Sequence, residues 1–225
     1  MASGVLDEGA VTHARIIELY LKPVHGRFDC PHLKEVHRRI FQDLPHHGPG
    51  EFRPEARVHK KLREFEGPSV TYPVIYANRS IVDETLDRVL GARCGVDVLR
   101  ALATDALARW LAGLYGDLDY LHPFREGNSR TLRVFTHQLM REIGYELDWG
   151  TTNVTPASRD RLYHARDREV LERRIGHMTE GLALLAREEG ERDMPRAYAA
   201  LMYMRKFDQP EDRLACVIKE CLKPV

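Results

Sequence analysis

The chain has 225 residues, 43% hydrophobic and 30% charged, ordinary values for a globular protein long enough for one good core or two small ones. Its 34 Lys and Arg balance 34 Asp and Glu, which excludes a global basic field for nucleic acid or an anionic membrane but leaves local arginines able to hold a phosphate. No apolar run approaches the ~18–20 residues of a membrane span and no signal-peptide pattern opens the chain, so the expectation is a soluble protein, cytoplasmic where it is made or exported into another cell.

The first predicted helix covers residues 10–21 and stops before Pro23. Asp29 is placed to cap a second helix with Pro31 in its first turn. Leu33, Val36, Ile40 and Phe41 give that helix one apolar face. Residues 45–54 hold three prolines and two glycines and must be irregular. Residues 55–65 read as a short charged helix. Gly67 to Tyr76 is the one convincing extended stretch, and Pro73 inside it suits an edge strand. The whole of 45–76 therefore reads as an exposed arm or hairpin outside the core.

Ser80 opens a helix over 81–90 with Gly91 at its end. Residues 96–115 form the strongest predicted helix, with Leu99, Leu102, Ala106, Trp110 and Leu114 in one stripe widened by Leu107 and Leu111. A helix over 129–143 follows, with Leu132, Phe135, Leu139 and Met140 on one face and Gly144 closing it. Two further helices are expected at 157–167 and 168–186, then a charged break, then helices at 195–206 and 210–222. The fold class is all-α with a short β-hairpin. Cys30, Cys94, Cys216 and Cys221 form no CxxC pair, so free thiols are expected, not a zinc ribbon or a disulfide framework.

Between the two central helices lies Leu121-His122-Pro123-Phe124-Arg125-Glu126-Gly127-Asn128-Ser129-Arg130-Thr131-Leu132-Arg133. Pro123 interrupts the preceding helix, and Gly127 permits a positive φ. Gly-Asn-Ser running into a helix leaves amides unpaired, an anion nest at a dipole's positive end. Asn128 or Ser129 could alternatively cap the helix, and Asn128 could bind a ligand oxygen. Arg130 and Arg133 share a helix face and can reach a phosphate. Glu126 beside phosphates implies a divalent cation, Mg²⁺, between them. His122 is the natural base for a hydroxyl. His122 and Glu126 also have the spacing of a zinc hydrolase, but Pro123 and Gly127 spoil a helix there and no third ligand has motif spacing.

This segment resembles the Fic family signature HPFx(D/E)GNxR extended by xxR. The resemblance covers roughly residues 15–185, with a flap around 45–76 and an active-site loop at 122–130, and leaves 186–225 as a C-terminal helical extension. It implies a mainly helical Fic fold and transfer of AMP from ATP to a Tyr, Thr or Ser hydroxyl of a target protein. It implies His122 as the base, Phe124 as the loop's anchor and Glu126 as the Mg²⁺ ligand. Gly127, Asn128 and Ser129 would form the anion hole, with Arg130 at the β-phosphate and Arg133 at the γ-phosphate. Val70 to Tyr76 would supply the strand that aligns an extended target segment. Ser129 stands where a second glycine is common, and would be strained there if that position needs φ above zero. The family's regulatory [ST]xxxE[GN] motif is missing. The enzyme is then either unrestrained or inhibited by a separate antitoxin-like protein whose glutamate captures Arg133. Competing readings are a relative that moves another phosphate-linked group, which Arg133 argues against for γ-phosphoryl transfer, and a weakly active nucleotide-binding module.

Overall fold

The computed structural model describes residues 7–54, 59–64, 70–93, 95–188 and 191–225. Helices dominate, as expected, and strands are confined among these residues to two short antiparallel pairs. In order they are α1 (Glu8–Leu21), α2 (Cys30–Phe41), β1 (Lys60–Glu64), β2 (Thr71–Ile75), α3 (Val82–Arg93), α4 (Val96–Arg100), α5 (Thr104–Leu121), α6 (Asn128–Glu142), β3 (Tyr145–Leu147), α7 (Pro156–Ile175), α8 (Glu180–Glu188), α9 (Met194–Phe207), α10 (Leu214–Cys221) and β4 (Leu222–Pro224). No helix among the described residues is long and apolar enough to cross a membrane.

α5 is the central rod. Leu107, Leu111, Leu114, Tyr115, Leu118 and Leu121 are fully or almost fully buried, and the helix packs against α3, α6, α7 and α10. Each buried leucine contributes about 1.5–3 kcal/mol relative to exposure, so this stripe fixes where the loop after Leu121 must lie. The second predicted helix is capped as read: the Asp29 side chain accepts from the His32 amide, and Leu33, Val36, Ile40 and Phe41 are buried.

Several boundaries differ from the reading of the sequence. The helix predicted over 96–115 is two, broken at residues 101–103, and its second part continues past Gly116 to Leu121. The two helices predicted at 157–167 and 168–186 are present with their boundary moved: α7 runs unbroken through 167–168 to Ile175, and α8 begins at Glu180. The charged residues Arg166, Asp167 and Arg168 at the expected join are all buried, so their polarity marks an internal network and not a turn. α3 runs through Gly91 to Arg93.

The charged helix predicted over 55–65 is also corrected: 60–64 is a strand, and residues 55–58 lie outside the described set. β1 pairs antiparallel with β2, Lys60 opposite Ile75 and Leu62 opposite Pro73. The pairing overrides the helical propensity of a Lys-Lys-Leu-Arg-Glu run. Nor is β2 an exposed arm. Tyr72, Val74, Ile75 and Tyr76 are buried in a cluster with Val170, Leu171 and Ile175 of α7 and Ala197, Ala200 and Leu201 of α9. The hairpin therefore stands on a packed base.

The end of the chain belongs to the main core. Leu214, Val217, Ile218 and Cys221 of α10 join the cluster built on α5, and β4 pairs with β3. Cys30, Cys216 and Cys221 are free thiols.

Candidate active site

The loop between α5 and α6 is held by the protein's own side chains. α5 ends on His122 itself, which caps it in the left-handed region at φ 44 and donates its amide to the Leu118 carbonyl at 3.1 Å. A side chain at positive φ is unusual outside glycine and must be held by its surroundings. Arg53 does much of that holding. It is fully buried, and its guanidinium donates to the carbonyls of His122 at 2.8 Å and Ala77 at 2.6 Å, while its amide donates to the Pro123 carbonyl. A cation is well placed at a helix C-terminus, where carbonyls lack partners.

Phe124 anchors the loop from within. It is fully buried and stacks flat on His37, ring centres 3.9 Å apart. Nε2 of His37 donates to the Glu126 carbonyl at 3.1 Å, and Nδ1 accepts from the Gly50 amide at 2.9 Å. That pair of roles fits one neutral tautomer. The Asn128 side chain closes the turn: its Oδ1 accepts from the Phe124 amide and its Nδ2 donates to the Phe124 carbonyl. The side chain that might have bound a ligand oxygen, or capped the helix, instead shapes the loop.

Gly127 is the residue the turn requires. It sits at φ 77, and a Cβ there would lie 2.0 Å from the Phe41 ring. Replacing Gly127 by Ala should destabilise the fold by about 2–4 kcal/mol, through left-handed strain plus overpacking. A urea denaturation series checks this; an unchanged midpoint would mean the turn is not built as described.

From Gly127 the chain enters α6. The amides of Asn128, Ser129 and Arg130 have no intrahelical carbonyl by position, since the first helical bond runs from the Thr131 amide to Gly127. Ser129 lies in ordinary helical conformation: His122 and Phe28 are the non-glycine residues at positive φ among those described. The strain anticipated for Ser129 is absent, because the glycine requirement falls on Gly127 alone.

His122 is 1% exposed. Its ring packs with two others, Tyr76, stacked at 3.8 Å, and His59 at 5.1 Å, which also touch each other at 5.5 Å. Nδ1 faces the Asp119 carbonyl at 3.3 Å and the Asp119 carboxylate at 3.6 Å. Two acceptors there favour a proton on Nδ1, which leaves Nε2 with its lone pair. Nε2 is buried and has no hydrogen-bond partner among the described residues. Burial pushes the imidazole down to about 4, against the opposing pull of Asp119. The ring is therefore neutral at pH 7.

Asp119 is 2% exposed and is gripped by both arms of Arg166, at 3.0 and 2.9 Å. Burial works to raise its pKa, but the Arg166 charge and the hydrogen bonds around it outweigh burial and hold the carboxyl well below the usual range. The third arm of Arg166 donates to Ser129 Oγ at 2.9 Å. One buried guanidinium thus links the carboxylate behind His122 to the first turn of α6.

Burial lowers His37 to about 4 as it does His122. In the unfolded chain both titrate near 6.5, so unfolding takes up protons between these values. The contribution of each ring to stability is complete above about pH 6.5 and is lost as pH falls toward about 4. Melting temperatures measured across that window should fall on the acid side, and a flat profile would contradict the burial of neutral rings.

The remaining residues gather at the mouth of the loop. Glu126 is half-exposed, accepts from the Gly127 amide at 2.9 Å and lies 3.8 Å from Arg130. Burial would raise its pKa, but that amide, Lys61 and Arg130 hold it below the usual value. A half-exposed, ionised carboxylate beside unpaired amides fits the single oxygen ligand that a phosphate-bound Mg²⁺ takes from protein. Arg130 donates to Thr12 Oγ1 of α1 at 2.9 Å and lies over Phe41. Arg133 is partly buried, and among the described residues no carboxylate pairs with it. Lys61 of β1 completes the set; burial lowers its pKa, and Glu126 and Asp119 are its nearest acidic influences.

With this geometry in hand, comparison with known proteins places the chain. The Fic/DOC family model matches residues 27–140, half of its length. The chain belongs to the Fic/DOC family. Among curated Fic relatives, protein adenylyltransferase VbhT of Bartonella schoenbuchensis is 30% identical over 142 residues, which is 63% of this chain and 27% of that protein. Probable protein adenylyltransferase y4lH of Sinorhizobium fredii is 30% identical over 125 residues, 55% of this chain and 58% of the relative. The chain thus matches only part of each. The fold resembles the Fic domain of a Bartonella quintana effector with bound ADP, TM-score 0.63 at 20% identity, covering 96% of this chain and 83% of that one. It also resembles BepC of Bartonella tribocorum with bound AMPPNP, TM-score 0.62 at 16% identity, covering 97% and 85%.

Reading the sequence did not single out Arg53, Asp119, Arg166, Tyr76 or Lys61. Asp119 carried one available signal: it lies three residues before His122, close enough to reach it from the last turn of a helix. Arg166 carried none, since its partners are 47 and 37 residues away.

Proposed function

We propose that the chain transfers AMP from ATP to a Tyr, Thr or Ser hydroxyl of a target protein and releases pyrophosphate. The observation that carries this reading is the pairing of a neutral His122 Nε2, unpartnered among the described residues, with the amides of the first turn of α6, which have no intrahelical carbonyl. In this mechanism the polyphosphate lies across the amides of Asn128, Ser129 and Arg130, drawn by the helix dipole, and reaches that of Gly127 only when Glu126 Oε1 releases it. Arg130 offsets charge toward the β-phosphate and Arg133 toward the γ-phosphate, each as a fixed cation that strengthens as negative charge moves to the leaving group. A Mg²⁺ held by Glu126 and phosphate oxygens would add charge neutralisation there.

His122 Nε2 accepts the proton of the target hydroxyl as its oxygen bonds to the α-phosphorus. The bond from that phosphorus to the α–β bridging oxygen breaks, and pyrophosphate departs with its electron pair. Asp119 acts as a positioning residue, holding the Nδ1 proton so that Nε2 faces outward from the helix end. Tyr76 and His59 cover the imidazole, so the hydroxyl reaches Nε2 only when these flap-side rings separate from it. An extended target segment laid beside the hairpin by strand addition supplies the contact for that step.

Arg133, with no acidic partner among the described residues, is also where a glutamate from a separate antitoxin-like protein would dock to block the γ-phosphate. Identification of the nucleotide product tests the reaction class. Pyrophosphate released in step with protein modification supports AMP transfer. ADP as the product would identify phosphoryl transfer instead, and ATP binding with neither product would favour a nucleotide-binding module.

A further inference from the structure

At the start of α1 two imidazoles and a carboxylate converge. Glu8 stands in the first turn of α1, and His46 and His47 lie on a 3-10 turn, Pro45–His47, that follows α2. His46 Nε2 is 2.8 Å from Glu8 Oε1, and His47 Nε2 is 3.0 Å from Glu8 Oε2. The potential ligand atoms of all three lie within 4.8 Å of one another. His47 is held in place, its ring edge-on to Phe41 and its side chain only 16% exposed. The two histidine rings pack together at 4.2 Å. Two neighbouring imidazoles aimed at one carboxylate are far more than a solvated turn needs.

We propose that Glu8, His46 and His47 form a binding site for a transition-metal ion of the zinc class. Two neutral imidazoles and a carboxylate are the donor set of zinc, and they disfavour magnesium, which takes oxygen ligands. Bonds of about 2.0–2.1 Å in a tetrahedron put neighbouring ligand atoms roughly 3.3 Å apart. The two imidazoles now meet different oxygens of Glu8, and with all three ligand atoms within 4.8 Å of one another small side-chain rotations bring them to that spacing. On binding, each imidazole exchanges its hydrogen bond to Glu8 for a bond to the metal through a deprotonated Nε2. The exposure of Glu8 and His46 leaves the fourth position to water.

The site also reaches the phosphate loop. Thr12, one turn after Glu8 on α1, accepts from Arg130, and Phe41 touches His47 on one side and lies under Arg130 on the other. The metal would therefore fasten the start of α1 where that helix holds Arg130. This consequence rests on the proposed role of Arg130, whereas the binding site itself does not.

The test is calorimetric titration of Zn²⁺ into the EDTA-treated full chain without nucleotide, alongside melting temperatures with and without the metal. The proposal expects one saturable equivalent and a raised melting temperature for the wild type. Both effects should be lost in His46→Ala/His47→Ala and reduced in Glu8→Gln, and Mg²⁺ should give neither. Melting temperatures in EDTA show whether the variants fold. No saturable Zn²⁺ binding by the wild type, or equal binding by the folded double variant, would overturn the site. Because no ATP is present, neither result depends on the transferase reading.

Discussion

Replacing His122 by Asn is expected to lower the rate of protein modification by about 10²–10⁴-fold, the range of a lost general base. Asn is the preferred substitution because His122 sits at φ 44, a conformation that Asn tolerates better than Ala. The Asn amide has no lone pair basic enough to take a proton. Nucleotide affinity should change little, since the α6 amides that would hold the polyphosphate are backbone groups shaped by Gly127 and Asn128. Measured in parallel, a collapsed rate with retained ATP binding fits the assignment, and a rate within threefold of wild type would remove His122 from the chemistry. The wild-type acid limb should also lie well below the usual histidine value, because burial has already driven the ring to about 4.

The second large effect concerns stability. Arg166→Met should destabilise the fold by about 3–5 kcal/mol, because it leaves the Asp119 carboxylate buried without its counter-charge. Asp119 is 2% exposed and Arg166 4%, so solvent cannot compensate. Removing both charges, as in Asp119→Leu/Arg166→Met, should cost much less, since an apolar pair of similar volume often replaces a buried ion pair at little cost. Denaturant midpoints of the two variants decide this. If the double variant is as unstable as the single, the pair's worth lies in its hydrogen bonds to neighbours such as Ser129 and not in the ion pair. The double variant also removes the carboxylate behind Nδ1 while keeping the backbone carbonyl of position 119 there, so it separates folding from positioning: a folded protein with an altered pH profile would assign the Asp119 side chain its positioning role.

The dense loop 121–133 was legible because its chemistry is local. Pro123, Gly127 and the two arginines announce a turn and a helix start within thirteen residues, and helical periodicity flags both flanking elements. The break at 101–103 was not legible, because Leu102 continues the apolar period across it and Ala103 offers no side-chain cap. The continuity of α7 across 167–168 was hidden because the partners that bury Arg166, Asp167 and Arg168, such as Asp119, Tyr72 and Asp208, lie far along the chain. β1 was missed because a charged pentapeptide becomes a strand only through its pairing with β2. β4 is three residues long, too short to carry any period. The same logic explains the site. Residues supplied by the motif could be named in advance, whereas Arg53 and Arg166 act through contacts that only the folded chain creates.

The central claim, a neutral His122 poised before a polyphosphate on the first turn of α6, is tested most directly by following label. ATP labelled at the α-phosphate and, separately, at the γ-phosphate is supplied with a cell lysate to the wild type and to His122→Asn. The account predicts that α-label alone enters protein, and only with the wild type. Entry of γ-label, or equal α-labelling by His122→Asn, would contradict it.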